Sequence, residues 1–269
     1  HPAMRFRRIR ILILLGLLAA AAGSTWLEQW IARGWRAPLM VQLVPINGDG
    51  SAQARERIAA LEAADFADID AFLQRETARY GVAMPRAMDL QLMPESHATP
   101  PAPPRDGKVL ATVWWSLKLR LWVYRQSDQW LPQFGTVKLF VLYHAPEEGE
   151  ALEHSLGLQK GLIGVVHAFA DPRQDSQNNV VIAHELLHTL GATDKYGPGG
   201  HPLHPDGVAD ASLGAGMPQR AAEIMAGRYV NAAGRLTMPA SLAQCVIGAK
   251  TAREINLDAA FQRRFSAAR

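Results

Sequence analysis

The stretch NNVVIAHELLHTLGATDKYG, residues 178–197, decides how the rest of this chain is read. His184 and His188 stand four residues apart with Glu185 beside the first, and Gly191 and Asp194 follow. On an α-helix, positions i and i+4 project from one face, so both imidazoles can reach one metal ion. Val180, Val181, Ile182, Leu186, Leu187 and Leu190 are apolar, which predicts a largely buried helix. Two histidines and a glutamate in such a helix are costly unless they are paired or bind a cation. A chance HExxH is expected in roughly one chain of this composition in a hundred. Requiring Gly191 and Asp194 as well lowers that to on the order of one in ten thousand. A solvated helix face that merely contains histidines is the weaker reading.

The spacing predicts one zinc ion. Zinc held by neutral imidazoles lowers the pKa of a bound water to about 7, and a nearby carboxylate can take its proton. Glu185 is placed to act as that general base and to pass the proton to a leaving amine. A third protein ligand leaves one coordination position open. Gly191 can adopt the left-handed conformation that ends a helix, which would swing Asp194 under the metal.

HELLHTLGATDKY resembles the zincin metallopeptidases, specifically the metzincin-type pattern HExxHxxGxxH/D. It is most similar to the variant with aspartate in the third position and a tyrosine nearby, as in snapalysin-like and immune-inhibitor-A-like peptidases. The resemblance covers about 50 residues, Asn178 to Tyr229. It implies a zincin-like catalytic domain and an endopeptidase acting on peptide or protein substrates. It also implies a methionine turn beneath the zinc, for which Met225 in AEIMAGRY is the candidate. Glu223 in the same segment, which has helical character, is the alternative third ligand if the site is gluzincin-like. Tyr196 and Tyr229 are candidate oxyanion stabilisers, with packing the other role open to each. In zincins an edge strand before the active helix pairs with extended substrate, and GVVHAFA, residues 164–170, is the candidate. Beyond these residues the chain resembles a bacterial family of membrane-anchored metallopeptidases not yet characterised.

The N-terminal sequence supports that last likeness. MRFRRIRILILLGLLAAAAGSTWLEQW, residues 4–30, has a basic start, an uncharged run from Ile11 to Gly23, and Trp26 and Trp30 at a plausible interface. Residues 4–31 are expected to form a signal anchor or a cleaved signal peptide. Arg5, Arg7, Arg8 and Arg10 would stay in the cytoplasm, and the domain over 38–269 would lie outside it, secreted if the segment is cleaved. The pI near 9.2 does not point to nucleic acid. Removing those four arginines from the net +3 leaves −1, so the body carries no clustered basic face. One cysteine, Cys245, excludes an internal disulfide and a cysteine metal cluster. Oligomeric state is not readable.

Along the chain, residues 39–44 read as a strand and 52–79 as helical, with a break near Asp65. AMDLQLMP is a second strand, and 94–107 a proline-rich loop, in which HATPPAPPRDG, residues 97–107, is the candidate for a self-inhibiting segment. Residues 108–126 fit a helix better than a strand, 136–144 and 161–170 are strands, and 197–220 is loop. The tail over 240–262 reads as helical. His201 and His204 with Asp206 form either a second metal or substrate site or, the stronger reading, a polar surface loop, and His144, His154 and His167 carry no assigned role. Without a βαβ rhythm the fold class is α+β: a small mixed sheet with a zinc-binding helix, preceded by a hydrophobic anchor helix. The rival reading is a zinc-stabilised binding or scaffold protein with no turnover, which would fill the fourth coordination position.

Overall fold

Alternation along three strands sorts their side chains into two layers, and that sorting positions everything else. The computed structural model describes residues 10–11, 15–16, 23–82, 84–104, 109–126, 134–146, 156–157 and 161–258. Strand β1 (Leu39–Asn47) is followed by helices α1 (Ala52–Ala59) and α2 (Ala67–Arg79), then β2 (Met88–Leu92). Helix α3 (Val109–Gln126) leads to β3 (Val137–His144), β4 (Leu156–Gly157), β5 (Ile163–Phe169) and helix α4 (Asp175–Thr189). The strands lie in the order β2-β1-β3-β5-β4. The first four are mutually parallel, and β4 runs antiparallel at the edge.

Leu39, Val41 and Leu43 of β1, Leu139, Val141 and Tyr143 of β3, and Val166 and Ala168 of β5 face one way. They pack against Ile58 of α1, Phe72 and Leu73 of α2, and Val180, Ile182, Leu186 and Leu187 of α4. Ile46, Phe140, Leu142 and Val165 face the other way, against Trp115, Leu119 and Val123 of α3. The period-2 pattern of a strand buried on both faces thus gives two cores, one for each set of helices. Each fully buried leucine or valine in them is worth about 1.5–3 kcal/mol.

A mixed α and β chain built on one small mixed sheet matches the expectation. The absence of a βαβ rhythm does not. Crossovers through α1 and α2, and through α3, join parallel strands, as parallel pairing requires. Asp65 marks the break between α1 and α2: residues Ala63–Phe66 form one 3-10 turn, boxed by Glu62 and Asp65. The proline-rich stretch is irregular through residue 104, and Trp115 Nε1 of α3 donates to Pro101 O at 2.8 Å. Residues 105–107 lie outside the described residues.

Three further expectations are corrected. The strand 164–170 is not the outermost one, because β4 pairs with it at Leu156↔Val165 and Gly157↔Gly164. The segment around Glu223 is not a helix: strand β6 (Ala222–Glu223) gives way to a single 3-10 turn, Ile224–Ala226, closed by Gly227 in the left-handed region. A hairpin follows, β7 (Tyr229–Val230) with β8 (Leu236–Thr237). Among the described residues of the tail the α-helix is confined to α5 (Ala249–Glu254): a 3-10 turn at Leu242–Gln244 leads into β9 (Cys245–Val246), which pairs instead with β6.

Most of the expected anchor lies outside the described residues. Residues 23–32 are helical. Among the described residues no helix is long and apolar enough to cross a membrane.

Candidate metal centre

Helix α4 is introduced by a 3-10 turn whose start is capped by Asp171, with Oδ1 accepting from Arg173 N at 3.0 Å. Pro172 opens that turn, where a missing N–H costs nothing. At the other end the chain reverses at Gly191, whose φ is 101°. Gly191 N donates to His188 O at 3.0 Å, and Ala192 N donates to Leu187 O at 3.0 Å. This pair of bonds is a Schellman motif, which satisfies the last carbonyls of the helix and turns the following residues back toward it.

The reversal brings Asp194 against the two histidines. Asp194 Oδ1 lies 3.1 Å from His188 Nε2 and 3.3 Å from His184 Nε2, and the two Nε2 atoms are 3.0 Å apart. The opposite ring nitrogens are pinned by backbone. His184 Nδ1 is 2.9 Å from Ile224 O, and His188 Nδ1 is 2.8 Å from Ala192 O. A carbonyl only accepts, so both Nδ1 atoms must carry a hydrogen. In neutral imidazoles both Nε2 lone pairs then converge on the Asp194 oxygen. Three electron-rich atoms this close repel one another unless a metal ion or an added proton sits among them.

The donor set fits zinc. A tetrahedral ion with bonds of 2.0–2.1 Å holds its ligand atoms about 3.3 Å apart. The three edges of 3.0, 3.1 and 3.3 Å come close to that. Two imidazoles and a carboxylate leave the fourth position open, as in catalytic rather than structural sites. Glu185, next along the helix, is buried, and one of its carboxylate oxygens groups with the His184 and His188 nitrogens within 4.8 Å.

Charge in the cluster follows the geometry. Burial opposes a proton on His184, but the hydrogen bond to Asp194 and the charge of Glu185 outweigh it and raise its pKa. Burial likewise opposes charge on Asp194, yet the two imidazoles hold its carboxyl far below the usual carboxylate range. Tyr196 stands beside them, half exposed. Its hydroxyl is pushed up by burial and by the charges of Asp194 and Glu185.

The other predicted residues divide clearly. Met225 is fully buried in the turn whose preceding carbonyl, Ile224 O, receives His184 Nδ1–H. Glu223 is also fully buried, but its carboxylate is already committed. Oε1 accepts from Thr251 Oγ1 at 2.7 Å and Gly248 N at 3.0 Å, and Oε2 from Ala226 N at 3.1 Å. Tyr229 sits in the hairpin opposite Thr237. His204 Nε2 turns to Leu213 O at 2.9 Å and Asp206 to Lys250 at 3.0 Å, so these two face separate partners. His144 and His167 bond to one another at 2.9 Å, and His154 lies outside the described residues.

Sequence reading passed over the residues that hold Asp194 in place. Its neighbours Thr193 and Lys195 are both tied to Glu254 of α5. Thr193 N and Oγ1 donate to that carboxylate at 2.9 and 2.8 Å, and Lys195 Nζ donates at 2.7 Å. Lys195 N also donates to Met225 O at 2.9 Å, joining the loop to the 3-10 turn that holds Met225. No local signal marks a lysine whose partner lies 59 residues away.

No protein-family model matches this chain, and no curated protein matches it.

Proposed function

We propose that this chain is a zinc-dependent peptidase that cuts within peptide or protein substrates, with His184, His188 and Asp194 as the metal ligands. The observation that carries the reading is the triangle of Nε2, Nε2 and Oδ1, with both Nδ1 atoms fixed by carbonyls. A zinc ion bound there supplies a Lewis acid and a water with a pKa near 7. Glu185 takes the proton of the attacking water and delivers it to the leaving amine. Glu185 is buried beside the two histidines, within reach of a water held in the open position. Ile224 O and Ala192 O hold the histidines in the one tautomer that presents Nε2. Tyr196, whose hydroxyl bonds to Asp194, is the candidate to turn to the substrate oxygen as negative charge develops on it.

Extended substrate adds along the outer side of the sheet, at its edge strand β4. The N-terminal sequence supports attachment to a membrane with this domain on the extracytoplasmic side.

The test is Glu185→Gln. The variant is expected to bind one zinc per chain like the parent and to lose cleavage of a mixed peptide library. Parent-like cleavage by the variant, or a parent that neither binds zinc nor cleaves, overturns the reading.

A further inference from the structure

Helix α3 is apolar on two opposite sides, and among the described residues only one of them packs into a core. Trp115, Leu119 and Val123 fill the second core. On the other side Val113, Trp114, Leu117, Leu121 and Tyr124 are exposed, Trp114 by 61% and Leu117 by 54%. At 100° per residue these five fall in an arc of roughly 100°. Lys118 and Arg125 lie along one border of the arc and Arg120 along the other. The helix holds no acidic residue.

The arrangement matches a bilayer surface better than a protein. Helices that lie in the membrane interface carry an apolar arc with tryptophan and leucine, bordered by lysine and arginine whose stems snorkel to the headgroups. A second copy of this chain would set the same three cations against each other with no acid in either helix to offset them. The neighbouring chain points the same way. Thr25, in the helical stretch 23–32, lies 3.5 Å through its Oγ1 from Arg120 Nη1. Trp26, the next residue, and Trp30, just over a turn further on, are both exposed. The sequence just before them is the basic and apolar run from Arg5 to Gly23.

We propose that the outer face of α3, continued by Trp26 and Trp30, lies flat on a membrane surface rich in anionic lipid. This is a second attachment beside the N-terminal segment, and it fixes the orientation of the domain. The metal centre is built on α4, which packs on the opposite face of the sheet. The site is then held away from the bilayer and draws its substrate from the aqueous side.

The inference does not depend on the peptidase reading, and its test uses no activity. The full chain is reconstituted in phosphatidylcholine vesicles containing about one-third phosphatidylserine. An environment-sensitive fluorophore is placed on Leu117→Cys, and in a second sample on Glu56→Cys. Glu56 is exposed on α1, across the sheet from α3, and the native Cys245 is buried. At position 117 the emission is expected to shift to the blue and to lose most of its intensity to nitroxide-labelled lipid. At position 56 it should stay water-like and unquenched. Adding Trp114→Glu and Leu121→Glu should abolish the quenching at 117 with the melting temperature unchanged, since both side chains are solvent-exposed. Water-like, unquenched emission at 117 in the parent overturns the inference. So does a blue shift there that lipid nitroxides do not quench, which would mark a second protein copy on this face.

Discussion

Lys195 Nζ lies 2.7 Å from Glu254 Oε2, and the lysine side chain is only 1% exposed. The same ammonium donates to Thr193 O at 2.6 Å and Thr193 Oγ1 at 2.7 Å, so all three of its hydrogens are used. Asp194 stands between these two clamped residues. Its position under the histidines is therefore set by α5 as well as by the turn that ends α4.

Glu254→Gln leaves a buried ammonium without its counter-charge, which costs about 2–4 kcal/mol. The looser loop also misplaces Asp194. Zinc affinity should fall by about 10–100-fold, the usual effect of a change behind the ligands. Competition with a chromogenic chelator and a thermal melt measure the two effects. A variant that melts early yet binds zinc like the parent would show that the clamp serves stability alone.

The same carboxylate makes the fold acid-sensitive. Burial opposes charge on Glu254, but Lys195 and the two donors of Thr193 outweigh it and lower its pKa. A carboxylate with a lowered folded pKa contributes stability fully above its unfolded value of about 4.3. That contribution disappears as pH falls through the lower folded value. The parent should lose more melting temperature between pH 7 and pH 3.5 than Glu254→Gln does. Equal losses would rule out this linkage.

Asp194→Ala and Glu223→Gln separate the two readings of the third ligand. Asp194→Ala should lower zinc affinity by at least about a hundredfold, since weaker outer changes alone cost 10–100-fold. Glu223→Gln should keep one zinc per chain and lose about 1–3 kcal/mol of stability, because Ala226 N would face an amide donor. Zinc measured by mass spectrometry under native conditions decides between them. The reverse pattern would make Glu223 the ligand.

What could be read from residues 178–197 is what local geometry dictates. HELLH needs only the helical repeat, and Gly191 needs only the left-handed turn that the structure places there. The third ligand stayed open in the sequence because Glu223 is as suitable chemically as Asp194. Only the bonds from Thr251, Gly248 and Ala226 reveal that it is already engaged. The parallel sheet was hidden for a similar reason. Two helices separate β1 from β2, and a proline-rich loop with an ambiguous helix separates β2 from β3. The edge strand β4 is two residues long, too short to leave a periodic pattern. The tail between Leu242 and Ile247 has apolar residues that suit a helix, yet Cys245 finds a strand partner in Ala222.

Gly191→Ala tests the turn itself. A methyl group there would meet only Glu254 O at 3.5 Å and Arg33 at 3.6 Å, which is ordinary contact. The penalty is backbone strain at φ 101°, about 1–2 kcal/mol for a residue with a Cβ. The melting temperature should drop by a few degrees, and zinc affinity should fall less than in Asp194→Ala. Unchanged stability would mean that the turn tolerates a side chain and that the glycine is not required by its conformation.

Cys245 reports on the same architecture from the other side. Burial pushes its thiol up to about 12. On the order of one such thiol in ten thousand is ionised at pH 8, and the thiolate is the reactive form. Alkylation therefore has to wait for β9 to leave β6. That strand runs directly into the turn whose Ile224 carbonyl holds His184. On the proposed reading zinc binds the closed form, and a ligand that favours one state lowers the population of the other by mass action. Native, zinc-loaded protein should resist maleimide labelling at pH 7–8, and chelation should raise the labelling rate at least about tenfold, as expected where free zinc exceeds ten times its Kd. Equal rates with and without zinc would mean that the turn beneath His184 opens independently of the metal.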